Sequence, residues 1–371
     1  MVSSEEQLRP VSRETVAKLI DCDVHPMIDG RFGQLLPYME EPWRRRLAFM
    51  ADAPVTNAPS QRMPHFRGID VYNRDATPPD GGPPASDPQF VRTDLLDRYD
   101  IDRVLLIPLQ AGLSAVMSTH DVHSAAIVRA FNEFFLDRWT IDKRFQYALT
   151  VSPLNPELAA MEIRRHGRNP AVAAVFLPLT LDLLGHDRWH PIYEACLEFG
   201  LPLVSHPGTG DGLFDGAPRY PGHVELMVEK YLALSAVLPV HITSLIMKGT
   251  FERYPALRFV FVEWRFAWIV PHMWDMDNGW REARTEVPWV KKWPSEYVRQ
   301  HMRFATQPVP DPREPRVLEQ LIENHLSDVL VFSSDYPHWN NDRPGTVLRG
   351  LSDVTKRKIF YENARSVLRL S

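Results

Sequence analysis

Short apolar runs alternate along the chain with segments in which apolar residues recur three and four positions apart. The short runs have the length and the aliphatic content of buried strands, and the longer segments have the period of amphipathic helices. Eight runs predict strands, at residues 19–24, 103–108, 146–151, 172–177, 201–205, 258–262, 302–306 and 329–333. Six segments predict helices, at residues 125–139, 156–166, 191–199, 225–237, 242–254 and 314–324.

This alternation is typical of parallel βα units, and eight such units close into a (β/α)8 barrel, the TIM barrel. The length of 371 residues lies within the range of a single barrel of this kind. We therefore expect an α/β protein in which residues 1–371 form one barrel domain.

A proline-rich insertion follows the first predicted strand. Residues 54–88 contain eight prolines, and the segment PPDGGPPASDP interleaves them with Asp, Gly and Ser, which excludes a regular helix or a central strand. An insertion at this point of a barrel emerges at the end where active sites are assembled. It is therefore either a lid or substrate-contacting loop, or an irregular surface insertion.

Composition narrows the class of protein. Hydrophobic residues make up 44% of the chain and charged residues 24%, so a large core can form. The net charge of -5 gives no electrostatic reason to bind nucleic acid. The first residues carry charges of both signs without a signal-peptide apolar stretch, and the apolar runs are too short to span a membrane. Two cysteines, Cys22 and Cys196, cannot make a disulfide framework, so we expect them reduced and the protein cytoplasmic.

Tryptophan is concentrated in one part of the chain. Helix packing against the barrel is the favoured explanation, and an oligomer interface or an apolar substrate wall are the alternatives. A homodimer is the corresponding prediction for assembly. Six of the ten tryptophans form this stretch: Trp264, Trp268, Trp274, Trp280, Trp289 and Trp293.

Polar residues end the first strand, in the segment IDCDVHP. The two-residue period of a strand would place Asp21, Asp23 and His25 on one face. If that face lines the barrel, an unpaired carboxylate is costly unless a cation or a hydrogen-bond donor meets it. A metal site is one interpretation, and a solvated Asp and His at a strand end is the other.

Three further strands also end in groups that can do chemistry. His206 follows the fifth strand, Glu263 the sixth and Asp335 the eighth. Imidazole and carboxylate are ligands of Zn and Mn, and a rim carboxylate can also carry a proton.

The alternatives at these positions are structural. Glu263 can ligate metal, act as acid or base, or pair with Arg265, and the ion pair is favoured. His338 can contact the substrate, support a metal ligand through a hydrogen bond, or be a loop residue without a role, and His241 is expected to be structural. No nucleophilic-serine, Walker or dinucleotide-binding motif is present.

Six motifs combine these positions: IDCDVHP, LPLVSHPG, FERYPALRFVFVEWRFAWI, SEYVRQHMRFATQP, VFSSDYPHW and YENARSVLRL. In order and spacing they resemble the amidohydrolase superfamily, in the branch of aminocarboxymuconate semialdehyde decarboxylase and γ-resorcylate decarboxylase. The resemblance implies a distorted (β/α)8 barrel with one divalent metal ion, Zn or Mn, held by Asp23, His25, His206 and Asp335. The sequence departs from these decarboxylases at Glu263, where they have a catalytic histidine.

The leading hypothesis is metal-dependent hydrolysis of an amide, ester or lactone-like bond in a small cyclic or aromatic molecule. Asp335 would carry the proton, and Glu263 or His338 would orient the substrate. One alternative is metal-dependent, non-oxidative decarboxylation of an aromatic or ring-derived carboxylic acid. Another is a catalytically silent barrel that binds a small molecule.

Overall fold

Eight parallel strands form one sheet in sequential order. The structure is a computed structural model that describes residues 18–28, 30–53, 55, 72–118, 120–180, 182–207 and 227–370. The strands are β1 (Leu19–Val24), β2 (Ile101–Leu106), β3 (Phe145–Thr150), β4 (Val172–Phe176), β5 (Leu203–Ser205), β6 (Phe259–Phe261), β7 (Met302–Ala305) and β8 (Leu330–Val331). All eight predicted strands are confirmed, with ends displaced by a few residues.

Backbone hydrogen bonds bring the first strand to the last. The amide of Cys22 donates to the carbonyl of Phe332 (3.0 Å), and that of His25 donates to the carbonyl of Tyr336 (2.8 Å). The amide of Asp335 donates in the opposite direction, to the carbonyl of Asp23 (3.1 Å). The sheet therefore forms a nearly closed barrel, as the sequence predicts.

Alternate residues of the strands fill the barrel interior. A cluster of buried apolar side chains receives a member from every strand, including Ile20, Leu105, Val204 and Val331. The helix that contributes Ala364 and Val367 packs into the same cluster. The opposite faces of the strands belong to a second, larger cluster together with the surrounding helices. The two-residue period thus divides the apolar side chains between interior and helix layer.

Helices surround the barrel in the described ranges. Their starts follow local capping chemistry, as at Asn155, whose side chain accepts hydrogen bonds from the amides of Glu157 and Leu158. They are Trp43–Leu47, Pro88–Val91, Leu109–Met117, Asp121–Arg138, Pro156–His166, His190–Glu198, Met227–Met247, Thr250–Arg253, Ile269–Glu282, Pro294–His301, Pro315–Leu321, Asp353–Arg357 and Asn363–Val367. Among the described residues, no helix has the length and apolar character needed to cross a bilayer.

One prediction about the helices is wrong. The sequence predicts separate helices at 225–237 and 242–254, but a single helix runs over Met227–Met247 and continues past Pro239. The carbonyl of Pro239 accepts hydrogen bonds from Thr243 Oγ1 (2.9 Å) and from His272 Nε2 (3.1 Å), and the second bond ties this turn to the helix Ile269–Glu282. His241 is buried within this helix, in agreement with a structural role.

The tryptophan-rich stretch divides between core and surface. Trp264 and Trp280 are buried, which confirms helix packing for part of it. Trp274, Trp289 and Trp293 are exposed, and the homodimer stays a prediction.

The described part of the proline-rich insertion is pinned to loops at the carboxyl ends of the strands. The amide of Met27 donates to the carbonyl of Ala85 (2.9 Å), and the amide of Asn73 donates to that of Pro337 (2.8 Å). The side chain of Gln110 accepts from the amide of Ile28 and donates to the carbonyl of Val55. These contacts agree with a loop that borders the site; residues 54 and 56–71 of the predicted insertion lie outside the described residues.

A largely buried carboxyl group, that of Glu162, lies in the helix layer. Glu162 lines a cavity of about 340 Å³ between the helices Asp121–Arg138 and Pro156–His166, and its Oε1 accepts a hydrogen bond from Asn132 Nδ2 (2.9 Å). Burial raises the pKa of Glu162 to about 7, from an ordinary value of 4.5. The folded protein therefore favours the protonated form of this carboxyl.

We expect this group to make the stability of the protein depend on pH. Because its pKa is raised on folding, its contribution is complete below pH 4.5 and is lost as the pH rises to about 7. Glu162→Gln, which keeps a neutral acceptor for Asn132, should be more stable than the parent protein at pH 8 by on the order of 3 kcal/mol, and equal to it near pH 4. Urea denaturation at both pH values measures this, with the exposed Glu286→Gln as control. An unchanged pH dependence in Glu162→Gln would contradict it.

Candidate metal centre

Four predicted ligands meet at the carboxyl ends of the strands. One atom from each of Asp23, His25, His206 and Asp335 lies within 4.8 Å of the others, and all four side chains are buried. Parallel strands all deliver the residues that follow them to the same rim, so positions distant in sequence converge there.

A break in the regularity of β1 decides which side chains enter the site. The pairing of β1 with β2 shifts between Asp21 and Val24, so the strict alternation expected for Asp21, Asp23 and His25 does not hold. Asp21 stays outside the four-residue cluster. Its Oδ1 accepts hydrogen bonds from the amides of Ser334 (2.9 Å) and Asp23 (3.1 Å). Asp21 therefore joins β1 to the end of β8 and holds both near the site.

Both histidines of the cluster present the same ring nitrogen to its centre. Nδ1 of His25 lies 3.0 Å from the carbonyl oxygen of Ile107, and Nδ1 of His206 lies 2.7 Å from that of Pro207. Because a carbonyl only accepts, Nδ1 carries the proton in each ring, and Nε2 of a neutral ring is left with a lone pair. Such contacts orient metal-binding histidines in general.

Carboxylate oxygens crowd these lone pairs. His25 Nε2 lies 3.0 Å from Asp335 Oδ1 and 3.2 Å from Asp23 Oδ1. Within the described ranges, three buried oxygens have no hydrogen-bond partner. They are both oxygens of Asp23 and Oδ2 of Asp335. Buried acceptors that face one another are unfavourable unless a proton or a cation lies between them.

The charges of the cluster perturb its ionisation. Burial raises the pKa of Asp23 well above its usual range, and repulsion from Asp335 and Glu263 adds to this effect. Burial also acts to raise the pKa of Asp335, but His338 and His25 hold it well below the usual range. Burial acts to lower the pKa of His25, but Asp23 and Asp335 together raise it. For His206, burial prevails over the attraction of Glu263 and lowers the pKa.

The four side chains fit one divalent cation. Two imidazole nitrogens and two carboxylate oxygens form a mixed donor set that suits Zn or Mn. Ligands facing each other across an ion with bonds of about 2.1 Å stand about 4.2 Å apart, so the observed 4.8 Å requires only small movements. A bound cation would meet the unpaired oxygens of Asp23 and Asp335.

Glu263 borders the cluster. The sequence favours an ion pair with Arg265, but among the described residues the Glu263 carboxylate contacts His206, whose Nε2 lies 3.1 Å from Oε2. Glu263, Arg265 and Asp335 all have left-handed backbones, with φ of 60°, 59° and 62°. Backbones of this kind are uncommon outside glycine and concentrate at functional sites.

His338 belongs to the site and is not an isolated loop residue. Its Nδ1 makes a hydrogen bond with Asp335 Oδ1, the same oxygen that faces His25. Its ring lies 4.8 Å from that of His25 and is stacked on that of Tyr72 at 5.7 Å, centroid to centroid. Sequence reasoning missed Tyr72, because it lies in the insertion, where neither a strand nor a helix period marks it.

A parallel barrel whose rim carries a buried cluster of two histidines and two aspartates is typical of metal-dependent enzymes. The amidohydrolase family model matches residues 20–370, and the chain belongs to this family. The protein is therefore an enzyme.

Individual relatives add detail. The chain is 23% identical over 302 residues to a γ-resorcylate decarboxylase of Polaromonas sp. (strain JS666), a match that covers 77% of this chain and 88% of the relative. It resembles the crystal structure of an amidohydrolase from Mycobacterium avium subsp. paratuberculosis K-10, with a TM-score of 0.69, 20% identity, and coverage of 95% of this chain and 100% of that one.

A second solved structure carries ligands. It is a 5-carboxyvanillate decarboxylase from Novosphingobium aromaticivorans DSM 12444, complexed with manganese and 4-hydroxy-3-methoxy-5-nitrobenzoic acid. The TM-score is 0.63 at 18% identity, and the match covers 94% of this chain and 95% of that one. At such identities, the structural matches establish the shared fold.

Proposed function

We propose that this protein is a metal-dependent, non-oxidative decarboxylase of an aromatic or ring-derived carboxylic acid. The γ-resorcylate decarboxylase that is similar in sequence and the 5-carboxyvanillate decarboxylase that is similar in structure both catalyse, by name, a decarboxylation. This likeness is the observation that carries the proposal. Asp335 would supply the proton carrier, because it is a buried acid at the cation site whose Oδ1 contacts two imidazoles, while its Oδ2 has no hydrogen-bond partner in the described ranges. A reaction that replaces a carboxylate by hydrogen requires a proton carrier at this place.

In the proposed site, Asp23, His25, His206 and Asp335 hold one Mn or Zn ion. When bound, the ion would attract the carboxylate of the substrate and a neighbouring oxygen and so fix the acid in place. The residues of the chain supply the proton. The bond between ring carbon and carboxylate breaks, its electron pair stays with the ring carbon, CO₂ leaves, and that carbon takes a proton from Asp335.

His338 is the residue that can resupply this proton. Burial acts to raise the pKa of Asp335, but His338 and His25 hold it well below the usual range, which favours the ionised carboxylate. His338 Nδ1 contacts Asp335 Oδ1, so a proton can pass between the two groups without water. Burial of the acid excludes solvent, which strengthens the electrostatic interactions within the site.

Hydrolysis of an amide, ester or lactone-like bond is the second candidate, and Glu263 is the observation that favours it. Its carboxylate lies against the cluster at His206, where the decarboxylases that the sequence resembles have a histidine. A carboxylate there can accept a proton from an attacking water, a step that decarboxylation does not need.

Product analysis separates the two candidates. The Mn-loaded protein is incubated with hydroxybenzoic acids and, separately, with aryl amides, esters and lactones. We expect CO₂ and the ring product from at least one acid, at a rate that depends on the ion. Hydrolysis without CO₂ from any acid would favour the second candidate, and ligand binding without turnover would favour a silent barrel.

A further inference from the structure

The imidazole of His338 is held from two sides. On one side Nδ1 contacts the carboxylate of Asp335, and on the other the ring stacks on Tyr72 with an angle of 18° between the planes. The backbone places His338 in a turn after β8, where its amide donates to the carbonyl of Asp335 (2.8 Å). A histidine ring rotates broadly about its last side-chain torsion, so the hydrogen bond at Nδ1 leaves the plane of the ring adjustable, and the ring contacts with Tyr72 and His25 restrict it.

Tyr72 is fixed by its own backbone. Tyr72 and His338 form an antiparallel bridge, and the amide of the next residue, Asn73, donates to the carbonyl of Pro337 (2.8 Å). Side chains of residues paired in this way stand next to each other, which accounts for the ring contact. The separation of 5.7 Å lies within the range of favourable aromatic pairs.

The structure assigns to Tyr72 a positioning role: the proline-rich insertion supplies an aromatic ring that holds the His338 imidazole in the plane from which Nδ1 meets Asp335. Tyr72 acts through His338 and not on the substrate. The inference rests on the proposed function in one respect, which is that His338 acts in the reaction. It gives the insertion a part in the site beyond bordering it.

Two variants test this role. Tyr72→Leu removes the aromatic ring, whereas Tyr72→Phe keeps it and removes only the hydroxyl. Tyr361→Leu, in the π-helix Lys358–Glu362, is the control for loss of a tyrosine elsewhere. We expect Tyr72→Leu to lower kcat for CO₂ release about two- to tenfold, the rate equivalent of one lost aromatic pair, with little change in KM. Tyr72→Phe and Tyr361→Leu should behave like the parent protein.

A second measurement does not depend on turnover. In protein labelled with ¹³C-histidine and loaded with diamagnetic Zn²⁺, the ring protons of His338 experience the ring current of Tyr72. Their resonances, assigned by their absence in His338→Gln, should move in Tyr72→Leu and stay in place in Tyr72→Phe. If no acid releases CO₂, the proposed function fails, but this measurement still decides whether Tyr72 positions His338.

The outcomes that overturn the inference are specific. They are unmoved His338 resonances in Tyr72→Leu, a raised KM at unchanged kcat, or a loss in Tyr72→Phe as large as in Tyr72→Leu. If Tyr72→Leu does not fold or does not retain its ion, Tyr72→Phe alone decides, because parent-like resonances and kcat are required of it. In a His338→Gln background, Tyr72→Leu should cause no further loss, and an undiminished effect there would show that Tyr72 acts independently.

Discussion

Asp335→Asn is expected to lower CO₂ release by about 10³-fold or more, because the variant keeps the shape of the side chain but cannot carry the proton. The amide retains an oxygen that can face the cation, and Asp23, His25 and His206 remain, so most of the ion should stay bound. Steady-state rates and elemental analysis of the same preparation measure both quantities.

Asp342→Asn is the matched control for this variant. Asp342 lies in the same loop after β8 and is partly buried, and its Oδ2 accepts a hydrogen bond from the amide of Val309 (3.2 Å). It does not belong to the cation cluster, so its variant should keep most of the activity. Normal turnover by Asp335→Asn would refute the assignment of the proton to Asp335, and loss of the ion with the activity would reduce Asp335 to a ligand.

Removal of the divalent ion is expected to abolish turnover and to lower the melting temperature. Without a cation the buried oxygens of Asp23 and Asp335 face His25 Nε2 at 3.0–3.2 Å, an arrangement that then requires a proton. A ligand present at 100 times its Kd stabilises the folded state by about 2.7 kcal/mol. For a chain of this size the corresponding change in Tm is a few degrees.

Differential scanning calorimetry before and after chelation, and after addition of Mn²⁺ or Zn²⁺, measures the effect. Glu162→Gln, in the helix layer, should keep the full response to the ion, whereas Asp23→Asn should lose most of it. A chelated protein with unchanged Tm and unchanged CO₂ release would exclude a resident ion at this site.

The strands and most of the site could be predicted from the sequence for one physical reason. In a parallel barrel the residues that follow buried strands meet at one rim, so Asp23, His206 and Asp335 are brought together by topology alone. The apolar period locates the strands, and the polar residue at the end of each locates the rim.

What the sequence could not predict depends on local backbone geometry. The irregular pairing of β1 separates Asp21 from Asp23 and His25, although a regular strand would align all three. Glu263 has a left-handed backbone, and its side chain contacts His206 instead of forming the predicted ion pair with Arg265. Neither feature changes the pattern of apolar residues, so that pattern could not predict either of them.

The type of reaction was equally hard to predict, because hydrolysis and decarboxylation use the same parts. Both require a cation that holds an oxygen-bearing group and a carboxyl group that moves a proton. Asp335 satisfies either requirement, and Glu263 adds a second carboxylate. Only the likeness to decarboxylases moves the balance away from the hydrolysis that the sequence favoured.

The helix Asn363–Val367 limits the direction from which a small molecule can reach the site. Ala364, Val367 and Leu368 pack into the interior cluster to which all eight strands contribute. Arg369, just beyond, reaches across to β4, where its amide donates to the carbonyl of Ala173 (3.1 Å). Among the described residues, these apolar side chains fill the barrel at the amino ends of the strands, opposite the rim that carries the cation site, so a small molecule would have to approach the site from the carboxyl ends.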